Sequence, residues 1–246
     1  MMAHNASMSG ISVDRLRSRQ CSGSFGEEHY VLHRFFGGGR RDGARRGGVF
    51  FELGAFDGWK ESNTLHLESC LDWRGVLMDA PVHVDWVRGN RPGAVSVGLA
   101  ACPQAGYTNY SVQKATTAGI LSYMSRSVRR RFKVDGAGSR PMQCGPLGGL
   151  FAQLNLRHID YFSLDVQGAE LMVLRSVDWH ALTVGVLVTE CKGLFCRDEQ
   201  DAAVRRLMVD VAGMEWAGVL RARHDVWDAV YVNRSLVDAV DASVEL

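Results

Sequence analysis

The chain has 246 residues, of which 46% are hydrophobic and 22% charged, and its formal net charge is +1. That length suffices for one sizeable α/β domain with a true core, and the near-neutral charge excludes a global pull toward nucleic acid or an anionic membrane. No run approaches the roughly 20 apolar residues of a membrane span and no signal-peptide core opens the chain, so a cytoplasmic location is expected.

Residues 1–24 are rich in Ser and Arg with one acid, Asp14, and read as a mobile tail of weakly transit-peptide-like composition. Residues 25–246 read as one domain. Glu27–Phe36 places Val31, Leu32, Phe35 and Phe36 at the spacing of a short amphipathic helix. Gly37–Gly48 is dense in glycine and arginine but lacks the Gly-Lys-Ser/Thr step of a phosphate loop, so it reads as a solvated linker.

From residue 48 onward strand and helix patterns alternate, which predicts a parallel sheet with helices on both faces. Strands are expected at 48–53, 75–79, 94–99, 159–165 and 184–190. Helices are expected near 62–71, 82–90, 147–156, 168–177 and 199–212. Residues 107–113 read as a short extra strand, and 114–145 as a long irregular insertion. That insertion carries Arg126, Arg129, Arg130, Arg131 and Lys133 with few aromatics (Tyr123, Phe132). It therefore reads as a solvated face or substrate lid, and no nucleic-acid partner is expected. The last two strands, 215–223 and 227–233, are joined so tightly at His224-Asp225-Val226 that they must be antiparallel. Cys21, Cys70, Cys102, Cys144, Cys191 and Cys196 lack metal-ligand spacing and read as reduced thiols.

The chemistry concentrates in Gly48–Gly58, GVFFELGAFDG. A buried strand ending in Glu52 and turning through Gly54 and Asp57-Gly58 builds a nucleotide cradle at the carboxyl edge of a parallel sheet. The spacing is not that of a dinucleotide fingerprint, and two acids would repel a pyrophosphate. They suit a ligand with an amine and ribose hydroxyls, as S-adenosylmethionine (SAM) has. Four of the expected strands end in an acid: Glu52, Asp79, Asp165 and Glu190. Carboxylates at strand ends are costly unless solvated or bonded, so they point to a ligand crevice. Asp79, at the end of the second strand, stands where ribose hydroxyls are held.

Three co-linear segments, GVFFELGAFDGWKESNT, ESCLDWRGVLMDAP and HIDYFSLDVQGAELMVLRSVDW, resemble the FkbM-type SAM-dependent methyltransferases. The resemblance runs from about Gly26 to Arg234 and includes Asn90-Arg91-Pro92 and Cys144-x-Pro146-Leu147. It implies a Rossmann-like class I SAM-methyltransferase fold: a mostly parallel seven-stranded sheet with an antiparallel C-terminal strand. It implies that Glu52, Gly54 and Ala55 face the methionine part of SAM, with Asp57 and Gly58 in the same loop. Asp79 would hold the ribose, and Ala100 and Ala101 would lie near adenine. Ser62, Asn63 and Thr64 would fix the loop, with a cofactor contact from Asn63, and Asp165 would sit at the methyl-transfer edge. Gln167 stands where the family often has Glu, and Ala80 departs from a common Glu-Pro step. The first departure bears on substrate choice more than on SAM.

The expected reaction is methyl transfer to a hydroxyl of a small molecule or sugar, with proximity and orientation supplying much of the rate. A base must take the hydroxyl proton. Asp165 and Glu170 are the candidates, and His66 reads as structural. Carboxylates also suit Mg²⁺, yet no dedicated ligand cluster stands out, so no metal is assigned. Trp59 and Cys102 are expected near the pocket. The competing reading is a catalytically silent methyltransferase fold used as an interaction module. The intact Glu52, Gly54, Asp57, Asp79 and Asp165 set argues against it.

Overall fold

The computed structural model describes residues 27–37, 44–112, 117–124, 126–131, 133–134, 136–191, 194–223 and 226–237. The tail 1–24, part of the glycine-arginine linker, Phe132 and His224-Asp225 lie outside the described residues.

The strands that read as near-continuous apolar runs form the centre of the larger sheet. These are β1 (Val49–Leu53), β2 (Arg74–Asp79), β8 (His158–Leu164) and β9 (Thr183–Glu190). Strands covered on both faces need no polar alternation, which is why they show none. With β3 (Val95–Gly98), β10 (Glu215–Arg223) and β11 (Val226–Val232) they make a seven-stranded sheet in the order β10-β11-β9-β8-β1-β2-β3. All neighbours are parallel except β11, which runs antiparallel to both β9 and β10. This is the class I methyltransferase order, with the expected antiparallel C-terminal strand.

Helices cover both faces. On one side α1 (Glu27–Phe35), α2 (Leu65–Leu71) and α3 (Val84–Asn90) bury Val31, Leu32, Phe35, Leu67 and Val87 against Phe50, Leu77, Tyr161 and Val186. On the other side α5 (Leu147–Gln153), α6 (Glu170–Arg175) and α7 (Glu199–Arg206) bury Leu147, Phe151, Val173, Leu174 and Val204 against Phe51, Met78, Phe162 and Leu187. Phe51, Phe151 and Phe162 meet edge to face, with centroids 4.9–6.4 Å apart. The final helix is shorter than its periodicity suggests. It ends at Arg206 and widens into a π-type turn over Leu207–Val211. Among the described residues, no helix is long and apolar enough to cross a membrane.

The segment expected as an irregular insertion departs most from the sequence reading. β4 (Ala100–Ala101), β5 (Gly106–Ser111), β6 (Gly119–Ile120) and β7 (Ser139–Gly145) form a second sheet in the order β4-β7-β5-β6. The basic run Arg126–Arg131 is a short helix, α4, within it. β7 reads SRPMQCG and buries only Met142, Cys144 and Gly145. Its strand character comes from pairing with β5 more than 30 residues away in sequence, for example Tyr107 with Gln143, and not from local pattern.

The cysteines also differ from expectation. Cys102 and Cys144 form a disulfide with Cα atoms 5.6 Å apart, and Cys191 and Cys196 form another at 5.1 Å. Cys70 is disulfide-bonded too, and among the described residues no cysteine is free. Sequence spacing could not show this, because Cys144 meets Cys102 only through the parallel pairing of β7 with β4.

Candidate functional site

The carboxyl edge of the large sheet opens into a pocket. Its floor and walls are Leu53, Gly54, Phe56, Asp79, Ala80, Leu99, Ala100, Ala101, Asp165, Val166 and Gln167, and the second sheet roofs it with Tyr110, Gly119 and Ile120. The β5–β6 register sets Tyr110 beside Ile120 over this space. The roof sits close: a Cβ on Gly119 would lie 3.1 Å from Met124 Cε and 3.4 Å from Gln167 Cβ.

Of the residues singled out in the sequence, Gly54, Asp79, Ala100, Ala101 and Asp165 line the pocket. Gly54 has φ +98°, and a Cβ there would fall 1.9 Å from the Asp165 carbonyl oxygen, so only glycine fits between the ends of β1 and β8. Asp79 Oδ2 accepts from Phe56 N at 2.7 Å, while Oδ1 accepts from Ala80 N at 2.6 Å and lies 2.7 Å from His83 Nδ1. A carboxylate offers about four acceptor positions, so Asp79 keeps capacity for a ligand hydroxyl. Phe56 and Gln167 hold positive φ values of 48° and 53°, a conformation concentrated at ligand sites.

Glu52, Ala55, Asp57, Gly58 and Asn63 are not in the pocket wall. Glu52 is buried and accepts from Ser62 Oγ at 2.9 Å, from Asn63 N at 3.0 Å and from Thr64 Oγ1. Behind it the buried Arg91 guanidinium donates to Glu68, to Gly58 O at 3.1 Å, to Ser62 Oγ at 3.0 Å and to Thr64 Oγ1 at 3.2 Å. Burial raises the Glu52 pKa, and Arg91, Thr64, Asn63 and Ser62 each pull it back. Asp57 Oδ1 accepts from Trp59 N and Lys60 N at 2.9 and 2.7 Å, which closes the turn after the glycine loop. Ala55 is buried beneath the loop in the apolar core, and Gly58 lies against Arg91 and Val87. Asn63 Nδ2 donates to Ser163 Oγ at 3.0 Å. These residues shape the cradle from behind. Trp59 does not line the pocket, and His66 sits against His29 on α1 with ring centroids 4.4 Å apart.

A second acidic group lies beside the pocket. Carboxylate oxygens of Asp165, Glu170 and Glu190 come within 4.8 Å of one another. Glu170 Oε1 accepts from Gly168 N at 2.8 Å and Val166 N at 3.3 Å, so it ties down the loop that opens α6. Asp165 Oδ1 accepts from Gln167 Nε2 at 2.8 Å. The Asp165 and Glu190 carboxylates face each other, and ionising both sets like charges side by side. Directly across the β9–β11 pairing from Glu190 stands Asp228, buried and on the same face. Withdrawal from solvent raises the pKa of Glu190 and Asp228, and the neighbouring acids raise both further. Tyr110, above the pocket, is pushed up by burial and then by Asp79 and Asp165. Glu190 was visible in the sequence as a strand-ending acid; Asp228 was not, because its strand-mate lies far away in the chain.

A family model described as Methyltransferase FkbM domain matches residues 52–212. None of the curated proteins matches the chain. Among solved structures it is similar to fibrillarin of Aeropyrum pernix with natively bound S-adenosyl-L-methionine. That likeness has 13% identity and TM-score 0.45, over 76% of this chain and 67% of that one. It is also similar to a precorrin-6y C5,15-methyltransferase of Geobacter metallireducens (11% identity, TM-score 0.40, 77% of this chain and 81% of that one). A SAM-dependent methyltransferase of Aquifex aeolicus is alike at 10% identity and TM-score 0.40, over 90% and 98% of the two chains.

Proposed function

The chain belongs to the FkbM methyltransferase family, whose methyl donor is SAM, and on that premise we propose that it methylates a hydroxyl oxygen of a small molecule or sugar. The observation that carries this reading is the pocket at the carboxyl edge of the sheet, with Asp79 at one end and Asp165 at the other. The lining fits the donor. Asp79 accepts from the ribose hydroxyls. Ala80, Ala100 and Ala101 leave room for a flat ring against Leu99. Gly54 brings bare backbone to the pocket, and the Tyr110–Ile120 roof keeps water out.

When bound, SAM supplies a methyl group on a positively charged sulfur. The protein's part is to hold that group and the acceptor in line and to remove the acceptor's proton. Asp165 is the base in this reading, exposed at the pocket and fixed by Gln167. Glu170 positions the loop that carries Asp165, because its carboxylate is already engaged by two backbone N–H groups. The acceptor enters where the second sheet and the loop after β8 meet. The disulfides persist best in an oxidising compartment, so they fit a cytoplasmic location poorly.

Calorimetric titration with SAM and S-adenosylhomocysteine tests the assignment. Micromolar binding, weakened about tenfold or more in Asp79→Asn, is expected for one lost charged hydrogen bond. A folded wild-type protein that binds neither ligand would leave the silent-module reading in place.

A further inference from the structure

The acids that bear on Glu190 are Asp165 just past the end of β8, Glu170 in the first turn of α6 and Asp228 on β11. Asp165 is in turn faced by Glu61 and Gln167, and by Tyr110 of the roof. Asp228 is faced by Glu27 on α1 and by Asp165. Among the described residues, every charged group in this set is an acid. Two carboxyls in contact, backed by a third, cannot all ionise without strong mutual repulsion. A proton kept between Asp165 and Glu190, whose oxygens lie within 4.8 Å of each other, resolves that conflict. Asp165 is at the same time a wall of the pocket.

We propose that Asp165 and Glu190, backed by Asp228, hold one shared proton in the free protein and release it to solvent when a positively charged donor occupies the pocket. This rests on reading that pocket as the SAM site. A positive charge against the wall replaces the proton as the counter-charge of the pair. The pair is then fully ionised and is the base for the acceptor. It takes the hydroxyl proton as the O–H bond breaks, and returns to its starting state. One proton thus leaves per turnover, at donor binding and not at the chemical step. S-adenosylhomocysteine carries no sulfonium charge and gives the pair no reason to ionise. Glu190 acts through Asp165 and is a positioning residue, as is Asp228, which keeps the proton in place.

The sign follows from linkage. The SAM-bound protein holds fewer protons than the free protein, so raising the pH favours SAM, by about tenfold in affinity per pH unit, until the free pair has lost its proton. The homocysteine analogue shows a flat profile. Titrating both ligands into the full chain from pH 5.5 to 9, with chelator present and in two buffers of different ionisation enthalpy, reads this directly. About one proton is expected to leave with SAM and close to none with the analogue. Glu190→Gln abolishes the release and flattens the SAM profile while both ligands still bind. Asp228→Asn keeps the release and moves its midpoint to lower pH. Equal proton release for both ligands, or none for either, overturns the inference and leaves the cofactor assignment intact. If neither ligand binds, both fall together.

Discussion

Two acidic regions stand at the same sheet edge, one behind the pocket and one beside it. Around Glu52 the acid is answered: two hydroxyls and a backbone N–H donate to it, and Arg91 stands behind. Around Glu190 acids face acids, and a proton takes the place of a cation. The first arrangement fixes a shape, because each donor is used and the loop 58–64 cannot move without breaking several bonds. The second leaves charge unbalanced, and so it responds to what comes into the pocket. A strand-ending carboxylate therefore carries no single meaning. Its partners decide whether it builds the cradle or works in it.

Breaking the matched region has the largest expected effect. Arg91→Ala leaves Glu52 and Glu68 without their buried cation and should cost about 3–5 kcal/mol in denaturant unfolding. Cutting the roof that covers the unmatched region comes next. Cys102→Ser with Cys144→Ser opens a loop of sequence separation 42 and should cost about 3–4 kcal/mol. Melting the wild type in strong reductant should cost at least as much, since it also opens Cys191–Cys196 and the Cys70 disulfide.

The unmatched region sharpens the comparison through pH. Acids whose folded pKa is raised hold more protons folded than unfolded, so stability is full at or below the ordinary carboxylate pKa and falls as pH rises toward the folded value. The unliganded wild type should lose up to about 1.4 kcal/mol per pH unit for each such group, and Glu190→Gln should flatten this slope. Thermal melts from pH 5 to 8 measure it. The smallest effect tests the loop itself. Asp57→Ala removes two turn hydrogen bonds and should cost about 1 kcal/mol, with SAM affinity changed less than threefold. A large loss of affinity would return Asp57 to the pocket.

The central strands, their order along the chain and the acids at their ends were legible because they rest on local signals. An apolar run, a glycine turn and an acid follow one another within a dozen residues. The antiparallel close of the sheet was legible for the same reason, since a tight connection admits no other direction. Of the second sheet only β5 was, as the extra strand at 107–113; β6 is two residues long, and β7 interrupts its few buried positions with exposed Arg140, Pro141 and Gln143. Nor was the Cys102–Cys144 disulfide, which depends on that sheet.

By itself, then, the sequence determined the parallel α/β frame and placed Asp79 and Asp165 at its carboxyl edge, because strand period and turn chemistry act over a few residues. Only the tertiary structure decided which acids are answered and which are not. It turned Glu52 toward Ser62 and Thr64, set Asp228 opposite Glu190 and lowered Tyr110 over the pocket. Those outcomes depend on pairings between distant segments, and the energy of a buried charge depends on every group that surrounds it.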